Sequence, residues 1–389
     1  MSKESILFLT GAYPDFDSSY RGIFIKKLAA LLREEGYQIS IVTPKIYKRS
    51  PSYEEKNGIR VYRFPFFSEN KSLIQYRKIP YFRMILYYMT GFLVTLYVTL
   101  KNKCDLIHVH WAIPIGLIGA LTGLLVQRPL IVTIHGSDHR MAAERSGFFK
   151  RIFLFVCTRA EHVHCVSNSM KKEIEIWGIE EGKISAFPMA VDGSFLQVGK
   201  NRKFKGKDEP LTVLSNRNLH SLYNVSLLVR AIPHVIKKNS EWRFVIAGEG
   251  PERPDLENQA KNLNINRYIT FLGNVPHEEM SCLLGSADIY VSTSNSDGTS
   301  VSLLEAMASG AFPIVTSISS NQKWVSDGEN GFLVPLENEV FLAEKIMEAR
   351  QNIALRKKAS QKNIEIIEDR AEEKKNTSKM IGIYEMAFH

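Results

Sequence analysis

The sequence predicts an α/β protein built from two doubly wound, Rossmann-like domains that face a shared cleft. Three observations carry this expectation. The chain has 389 residues, more than one hydrophobic core usually serves, so two domains are expected. Short runs rich in Ile, Val and Leu alternate with helix-length segments, and they show little polar alternation. Strands buried on both faces of a parallel sheet read in this way. The alternation lapses once, over a stretch rich in Gly, Lys and Arg, and then resumes.

In the first half the expected strands are residues 6–10, 39–43, 59–64, 106–110, 130–134, 162–166 and 184–187. Helices are expected between them, among them 23–35, 116–126 and 169–177. Residues 192–210 carry Gly193, Gly199 and Gly206 with few apolar residues. The first domain is therefore set at 1–195 and a linker at 196–210. Strands resume at 211–215, 243–247, 268–272, 289–292, 312–315 and 332–334, giving a second domain over 211–365. The tail is helical and rich in Lys and Glu, which reads as solvated helix faces, and a closing helix is set at 366–389. Ligands of such sheets bind at the carboxyl ends of the strands, so the cleft is the expected site.

Residues 81–100 read YFRMILYYMTGFLVTLYVTL, long enough to cross a bilayer. Lys71, Arg77 and Lys78 precede the run, and Lys101 and Lys103 follow it. A core helix of the first domain is the favoured reading. An aromatic, basic-flanked surface that touches lipid comes second. A true span comes last, because it would split the first α/β unit across a bilayer.

Composition narrows the functional classes. Hydrophobic residues make up 44% and charged residues 23%, an ordinary globular balance that argues against extended disorder. The net charge is +9. Residues 1–195 hold 26 Lys/Arg against 17 Asp/Glu, and residues 196–389 hold 24 of each, so the whole excess lies in the first half. An anionic partner is expected there. No aromatic-and-basic stacking pattern or finger motif accompanies the charge, so nucleic acid is not expected. A membrane surface or a phosphate-bearing acceptor fits better. The first residues lead straight into a short apolar run, too short for a secretory signal. Cys104, Cys157, Cys165 and Cys282 form no C-x-x-C pair and read as buried free thiols of a cytoplasmic protein.

The most specific stretch is Ser296-Asp297-Gly298-Thr299-Ser300-Val301-Ser302-Leu303-Leu304-Glu305-Ala306-Met307-Ala308-Ser309-Gly310. It follows the expected strand 289–292. Asp297 and Gly298 make a turn, and Ser300 opens a helix. Gly298, Thr299, Ser300 and Val301 crowd small residues at its start, where free backbone N–H groups and the helix dipole suit a diphosphate. Glu305 follows Asp297 by eight residues, so two carboxylates could hold hydroxyls of an extended ligand. Its apolar neighbours Leu303, Leu304, Ala306 and Met307 predict a buried helix.

This stretch resembles the signature of the family 4 retaining glycosyltransferases. Glu305-Ala306-Met307-Ala308, Gly310 and Pro313-Ile314-Val315 match it, and Asp327-Gly328-Glu329-Asn330-Gly331-Phe332-Leu333-Val334-Pro335 continues the likeness. The resemblance implies the GT-B fold, with the closing helix returning to the first domain. It implies that Glu305 holds the ribose hydroxyls and Asp297 contacts the donor sugar, where the family usually has the longer Glu. Ala247-Gly248-Glu249-Gly250-Pro251 ends a strand in a turn where Gly248 lets backbone approach a ligand. Phe271-Leu272-Gly273-Asn274-Val275 resembles the segment lining the base pocket, which assigns Asn274 and Val275 to the nucleotide. In Thr133-Ile134-His135-Gly136-Ser137-Asp138, the resemblance places His135 near the transferred sugar.

Two departures stand out. Arg217 fits the family's diphosphate-binding Arg, but Tyr223-Asn224 stands where a Lys-Gly pair is usual. The first loop lacks a Gly-Gly pair and offers Arg21-Gly22-Ile23, where Gly22 can bring backbone to the diphosphate and Arg21 can supply charge. Asp15-Phe16-Asp17 reads as an exposed turn rather than a metal-binding string. His108 and His110 point to one side of a strand without further ligands, so no metal or other cofactor is expected. The reading that results is a retaining, metal-independent glycosyltransferase. Its donor is a nucleotide sugar, UDP-linked by preference. Its acceptor is a glycan or a lipid-linked compound, met in the cytoplasm or at the inner face of the membrane. A nucleotide-sugar epimerase of the same fold and a non-catalytic nucleotide-sugar-binding protein are the rivals.

Overall fold

A computed structural model describes residues 3–388 except 17, 18, 20, 72, 74, 75, 77–79, 146, 207 and 238–240. Asp17, Arg77 and Lys78 of the sequence reading thus lie outside the described residues. The chain forms two compact units, residues 1–188 with 374–389, and residues 189–373.

In chain order the first unit runs β1 (Ser5–Thr10), α1 (Ile23–Glu34), β2 (Gln38–Pro44), β3 (Tyr53–Lys56), β4 (Ile59–Phe64), α2 (Tyr81–Lys101), β5 (Leu106–His110), α3 (Gly116–Val126), β6 (Leu130–Ile134), α4 (Ser137–Glu144), α5 (Gly147–Arg159), β7 (His162–Cys165), α6 (Asn168–Ile176) and β8 (Ile184–Ala186). The second continues with α7 (Gly193–Lys200), β9 (Leu211–Ser215), α8 (Val225–Ile236), β10 (Trp242–Ala247), α9 (Arg253–Asn262), β11 (Ile269–Gly273), α10 (His277–Ser286), β12 (Ile289–Ser292), α11 (Val301–Ala308), β13 (Phe312–Thr316), β14 (Phe332–Val334), α12 (Glu339–Gln351) and α13 (Ile353–Arg370). Helix α14 (Glu373–Phe388) closes the chain, and residues 374–389 belong to the first unit, as the expected closing helix does.

The first sheet has the order β3-β4-β2-β1-β5-β6-β7-β8. All its neighbours pair in parallel except β3 with β4. Every residue of β1 is buried, which explains a strand with no polar alternation. Ile6 and Phe8 meet Ile25, Leu28 and Leu32 of α1 and Met380, Ile383 and Tyr384 of α14 in one core. The second sheet has the order β11-β10-β9-β12-β13-β14, all parallel. Helix α8 seals it with Val225, Leu228, Ile232 and Val235, all buried. The strand order reverses between β1 and β5 in one sheet and between β9 and β12 in the other. Crevices at such reversals are the usual ligand positions.

Four local expectations are corrected. Residues 196–210 are no free linker. Part lies in α7, which packs on α10 and α11, and Arg202 donates to the carbonyls of Ser309 (2.8 Å) and Ala287. Asp15 is buried and paired with Arg21 rather than sitting in an exposed turn. Cys282 is exposed on α10, whereas the other three cysteines are buried. The tail is not wholly a solvated face: Arg350 and Arg356 are buried, and Arg356 donates to the Lys205 carbonyl at 2.7 Å. The run 81–100 forms one helix, α2, whose inner side is buried through Tyr87, Gly91, Thr95, Val98 and Thr99 against β2 and β4.

Candidate functional site

In the second unit the residues after β9 and β12 meet at the strand reversal. Arg217 is 6% exposed, and burying a guanidinium requires partners. Its Nη2 donates to Asp297 Oδ2 at 2.5 Å, and its Nη1 donates to Ser300 Oγ at 2.6 Å and Ser302 Oγ at 2.7 Å. The guanidinium lies 4.2 Å from the centre of the Tyr223 ring, a cation–π contact. Burial opposes its charge, but Asp297, with the Tyr290 and Tyr223 hydroxyls, outweighs burial and holds the proton firmly. Arg217 Nε is buried and has no partner among the described residues.

Ser300 is the N-cap of α11, its Oγ accepting from Leu303 N at 3.3 Å. Asp297 Oδ1 accepts from Gly298 N at 2.9 Å. Asp297 thus fixes both the turn and the arginine. Glu305 is buried on α11, as its apolar neighbours predicted, and His277 Nδ1 stands 3.9 Å from its Oε1. Gly248 has φ +158°, and a Cβ there would sit 2.3 Å from the Arg217 carbonyl. Close packing of two backbone turns therefore demands this glycine. Asn274 is exposed and Val275 half-buried, both just past β11.

The departure at Tyr223-Asn224 has a local cause. Asn224 takes a left-handed conformation (φ 44°) at the start of α8, which Asn tolerates better than most residues. It fills the conformational place of a glycine, and Tyr223 turns its ring to Arg217.

In the first unit Gly22 opens α1 with φ 70°. A Cβ there would lie 2.2 Å from the Ala12 carbonyl, so only glycine lets the loops meet. Arg21 is engaged by Asp15 Oδ2 at 2.9 Å and the Gly11 carbonyl at 2.8 Å, so its charge is already compensated. His135 follows β6 and is half-buried beside Trp111 and Phe24. Its backbone N–H and that of Gly136 donate to Asp138 Oδ1, while Ala112 N donates to Oδ2 at 2.8 Å. Burial lifts Asp138 to about 6 against these backbone bonds.

Behind His135 lies a buried polar chain that the sequence reading did not assemble. The Phe187 carbonyl can only accept, so His164 Nε2 carries a proton (2.9 Å) and His164 Nδ1 accepts from the Thr133 hydroxyl (3.2 Å). Thr133 then accepts from His108 Nε2, and His108 Nδ1 accepts from the Tyr384 hydroxyl, both at 2.7 Å. Every proton is placed, and each histidine is neutral in one tautomer. His110 Nδ1 meets His135 Nε2 at 3.1 Å. Because His110 Nε2 has no partner among the described residues, its proton belongs on Nδ1, and His135 Nε2 accepts. Among the described residues no group of three or more His, Cys, Asp or Glu could hold a metal ion.

A cavity of about 160 Å³ opens at the carboxyl ends of β1, β2, β4, β5 and β6. Ile46, Phe66, Tyr87, Trp111, Ile113 and Met141 give it apolar walls, and Arg21 and Asp138 are its charged members.

Comparison with known proteins gives the family and the fold. Residues 198–366 match the family model Glycosyl transferases group 1, and residues 22–195 match Glycosyltransferase Family 4. Alpha-monoglucosyldiacylglycerol synthase of Streptococcus pneumoniae is 26% identical over 344 residues, 84% of this chain and 74% of that protein. The phosphatidylinositol N-acetylglucosaminyltransferase GPI3 subunit of Saccharomyces cerevisiae is 24% identical over 305 residues, 76% of this chain and 64% of the subunit. The chain thus spans just under two thirds of the yeast relative's length. Sucrose-phosphate synthase from Thermosynechococcus elongatus superposes with a TM-score of 0.78 at 18% identity, covering 99% of both chains. HepE of Anabaena in complex with UDP gives 0.74 at 16% identity, covering 98% of this chain and all of that one. These structures share the GT-B fold. The two family models between them take in nearly the whole sequence, and the chain belongs to the family 4 glycosyltransferases.

Proposed function

We propose that the protein transfers a sugar from a nucleotide diphosphate sugar, UDP-linked by preference, to a hydroxyl of a lipid-linked or glycan acceptor, without a metal and with retention of anomeric configuration. The observation that carries this reading is Arg217. It is a buried cation at the strand reversal, held by Asp297, Ser300 and Ser302 at the start of α11. A diphosphate seated at the start of α11 would have its charge met by this fixed cation and by the free helix N–H groups.

The remaining roles follow the family pattern. Glu305 holds the ribose hydroxyls, and Asn274 and Val275 line the base. Gly22, Gly248, Gly298, Thr299 and Val301 offer backbone to the donor. His135 attends the transferred sugar. Asp297 takes a modified role, because its carboxylate already holds Arg217: it positions the cation that meets the phosphates. The bond from the anomeric carbon to the phosphate oxygen breaks as the acceptor oxygen attacks from the same face. The hydroxyl proton passes to the departing phosphate, so the charges balance without a metal.

The apolar cavity of the first unit supports an acceptor with a hydrocarbon part, in glycolipid or cell-envelope polysaccharide synthesis. The names of the Streptococcus and Saccharomyces relatives, a diacylglycerol and a phosphatidylinositol glycosyltransferase, point the same way.

The test is product formation from UDP-sugars with a membrane lipid extract as acceptor, in excess chelator. The anomeric proton coupling of the product is then read by NMR. An α-linked product from an α-linked donor, formed at an unchanged rate in chelator, is expected. An inverted product or dependence on metal would refute the mechanism. A changed sugar without acceptor would favour the epimerase, and donor binding without turnover the non-catalytic reading.

A further inference from the structure

Three helices of the first unit lie side by side over its sheet. Helix α2 packs on β2, β4 and α3; α3 packs on β5, β6 and α5; and α5 packs on β6. A helix that covers a sheet normally turns charge toward water. Helix α2 does not. Between Arg83 and Lys101 it has no charged residue, and its outer side carries Phe82, Ile85, Met89, Leu93, Tyr97 and Leu100, each more than half exposed. The four central members repeat every fourth residue and form one ridge inclined to the helix axis, and from Phe82 to Leu100 the apolar side spans about 27 Å at the ~1.5 Å rise of a helix. Helix α3 adds exposed Leu121, Leu124 and Leu125, and α5 adds Phe148 and Phe155. Continuous apolar surface on this scale marks a docking face.

Charge identifies the occupant. The three helices hold Arg83, Lys101, Lys150, Arg151 and Arg159 and not one Asp or Glu. The first unit as a whole holds 29 Lys/Arg against 17 Asp/Glu, a net +12, whereas the second has 21 against 24, a net −3. Lys101 lies 5.2 Å from the Tyr97 ring and Arg159 6.0 Å from the Phe155 ring, so exposed aromatics carry cations at their edges. A second copy of the chain would bring like charges together across such a face. A bilayer span would strip α2 from β2 and β4 and expose Tyr87, Thr95 and Val98, now buried.

We propose that the outer face of α2, α3 and α5 docks on an anionic phospholipid bilayer. The apolar stripe enters the boundary between headgroups and acyl chains, and the basic residues meet lipid phosphates. The docking stands independently of the donor chemistry.

Co-sedimentation tests it, using the full chain with vesicles of phosphatidylcholine alone and of phosphatidylcholine mixed with phosphatidylglycerol. Binding to the mixed vesicles, weakened by salt, and much weaker binding to the neutral ones are expected. Ile85→Ser/Leu93→Ser should weaken binding at least about tenfold, since each exposed side chain brings more than ~1 kcal/mol of apolar burial. The same variant should keep the wild-type circular dichroism and nucleotide-sugar affinity. Arg151→Glu/Arg159→Glu, which leaves the apolar stripe intact, should lose the preference for anionic vesicles. Equal binding by wild type and both variants, or no sedimentation with mixed vesicles, would overturn the proposal. So would a dimer in light scattering that the Ile85→Ser/Leu93→Ser change dissolves, which would assign the face to a second copy.

Discussion

Arg217→Ala is expected to lower the rate of sugar transfer by about 10²–10³-fold, the usual cost of removing one preorganised group that stabilises a leaving group's charge. The effect is large because the family's second cation is absent: Tyr223 stands in its place and brings no charge. Removing Arg217 also leaves Asp297 without its ion-pair partner in a largely buried turn, so some stability is lost as well. Arg217→Ala/Asp297→Asn separates the two effects. Neutralising Asp297 should restore thermal stability and leave transfer as slow as in the single variant. Steady-state rates beside melting temperatures check this, and near-normal transfer by either variant would remove Arg217 from the donor site.

The second large effect is on acid stability. Burial is the first cause that pushes His108, His110 and His164 below the ordinary imidazole value of 6.5, and neighbouring histidines add to it at all three. His164 falls to about 4. A group depressed in the folded state contributes stability that is complete above 6.5 and is lost as pH falls toward its folded value, because the unfolded chain takes up the proton first. For His164 that amounts to about 3 kcal/mol. Asp138 acts in the opposite sense, since its raised value of about 6 makes protonation favour the fold below that pH. Three buried histidines outweigh one carboxyl, so the first unit should lose stability as the pH falls from 7.5 to 4.5. Urea denaturation at several pH values measures this. Constant stability across that range would mean that the histidine chain is already broken or hydrated in solution.

Much of the fold was legible because buried parallel strands announce themselves. Strands β1, β5, β6, β9 and β12 are short runs rich in Ile, Val and Leu flanked by turns, and all are buried or nearly so. Strand β3, with the sequence YEEK, escaped notice because it is an edge strand paired on one side only and mostly exposed. No apolar pattern is needed there. Residues 196–210 misled for a related reason. Their polar side chains read as solvent-facing, yet Arg202 and Lys205 spend their donors on Ser309, Ala287 and Asp288 far along the chain. Composition does not reveal a carbonyl a hundred residues away. Asp15 is buried by the same logic, with its partner Arg21 only six residues on.

In the site, Arg217, Asp297 and Ser300 were named from the sequence, and the structure brings them together in one unit. Their grouping was not legible. That Asp297 holds Arg217, that Ser302 adds a second hydroxyl, and that Tyr223 stacks on the guanidinium depend on side chains converging from β9, α8 and α11. His164 was missed because a histidine on a short strand carries no signal until its register beside Thr133 is known. The glycines Gly22 and Gly248 were noticed for a ligand's sake, but each already has a steric cause inside its own loop.

The central claim is that the second unit binds a nucleotide diphosphate sugar through Arg217 and Glu305. Calorimetric titration with a panel of UDP-, GDP- and ADP-sugars in the presence of chelator tests it most directly, on the wild type and on Glu305→Ala. The account predicts binding of one nucleotide class by the wild type, the UDP-sugars by preference. Loss of the Glu305 carboxylate should weaken it by about 10–100-fold, the ~1.5–3 kcal/mol expected of hydrogen bonds to a charged group. Absence of binding by every donor, or equal affinity in wild type and variant, would contradict it.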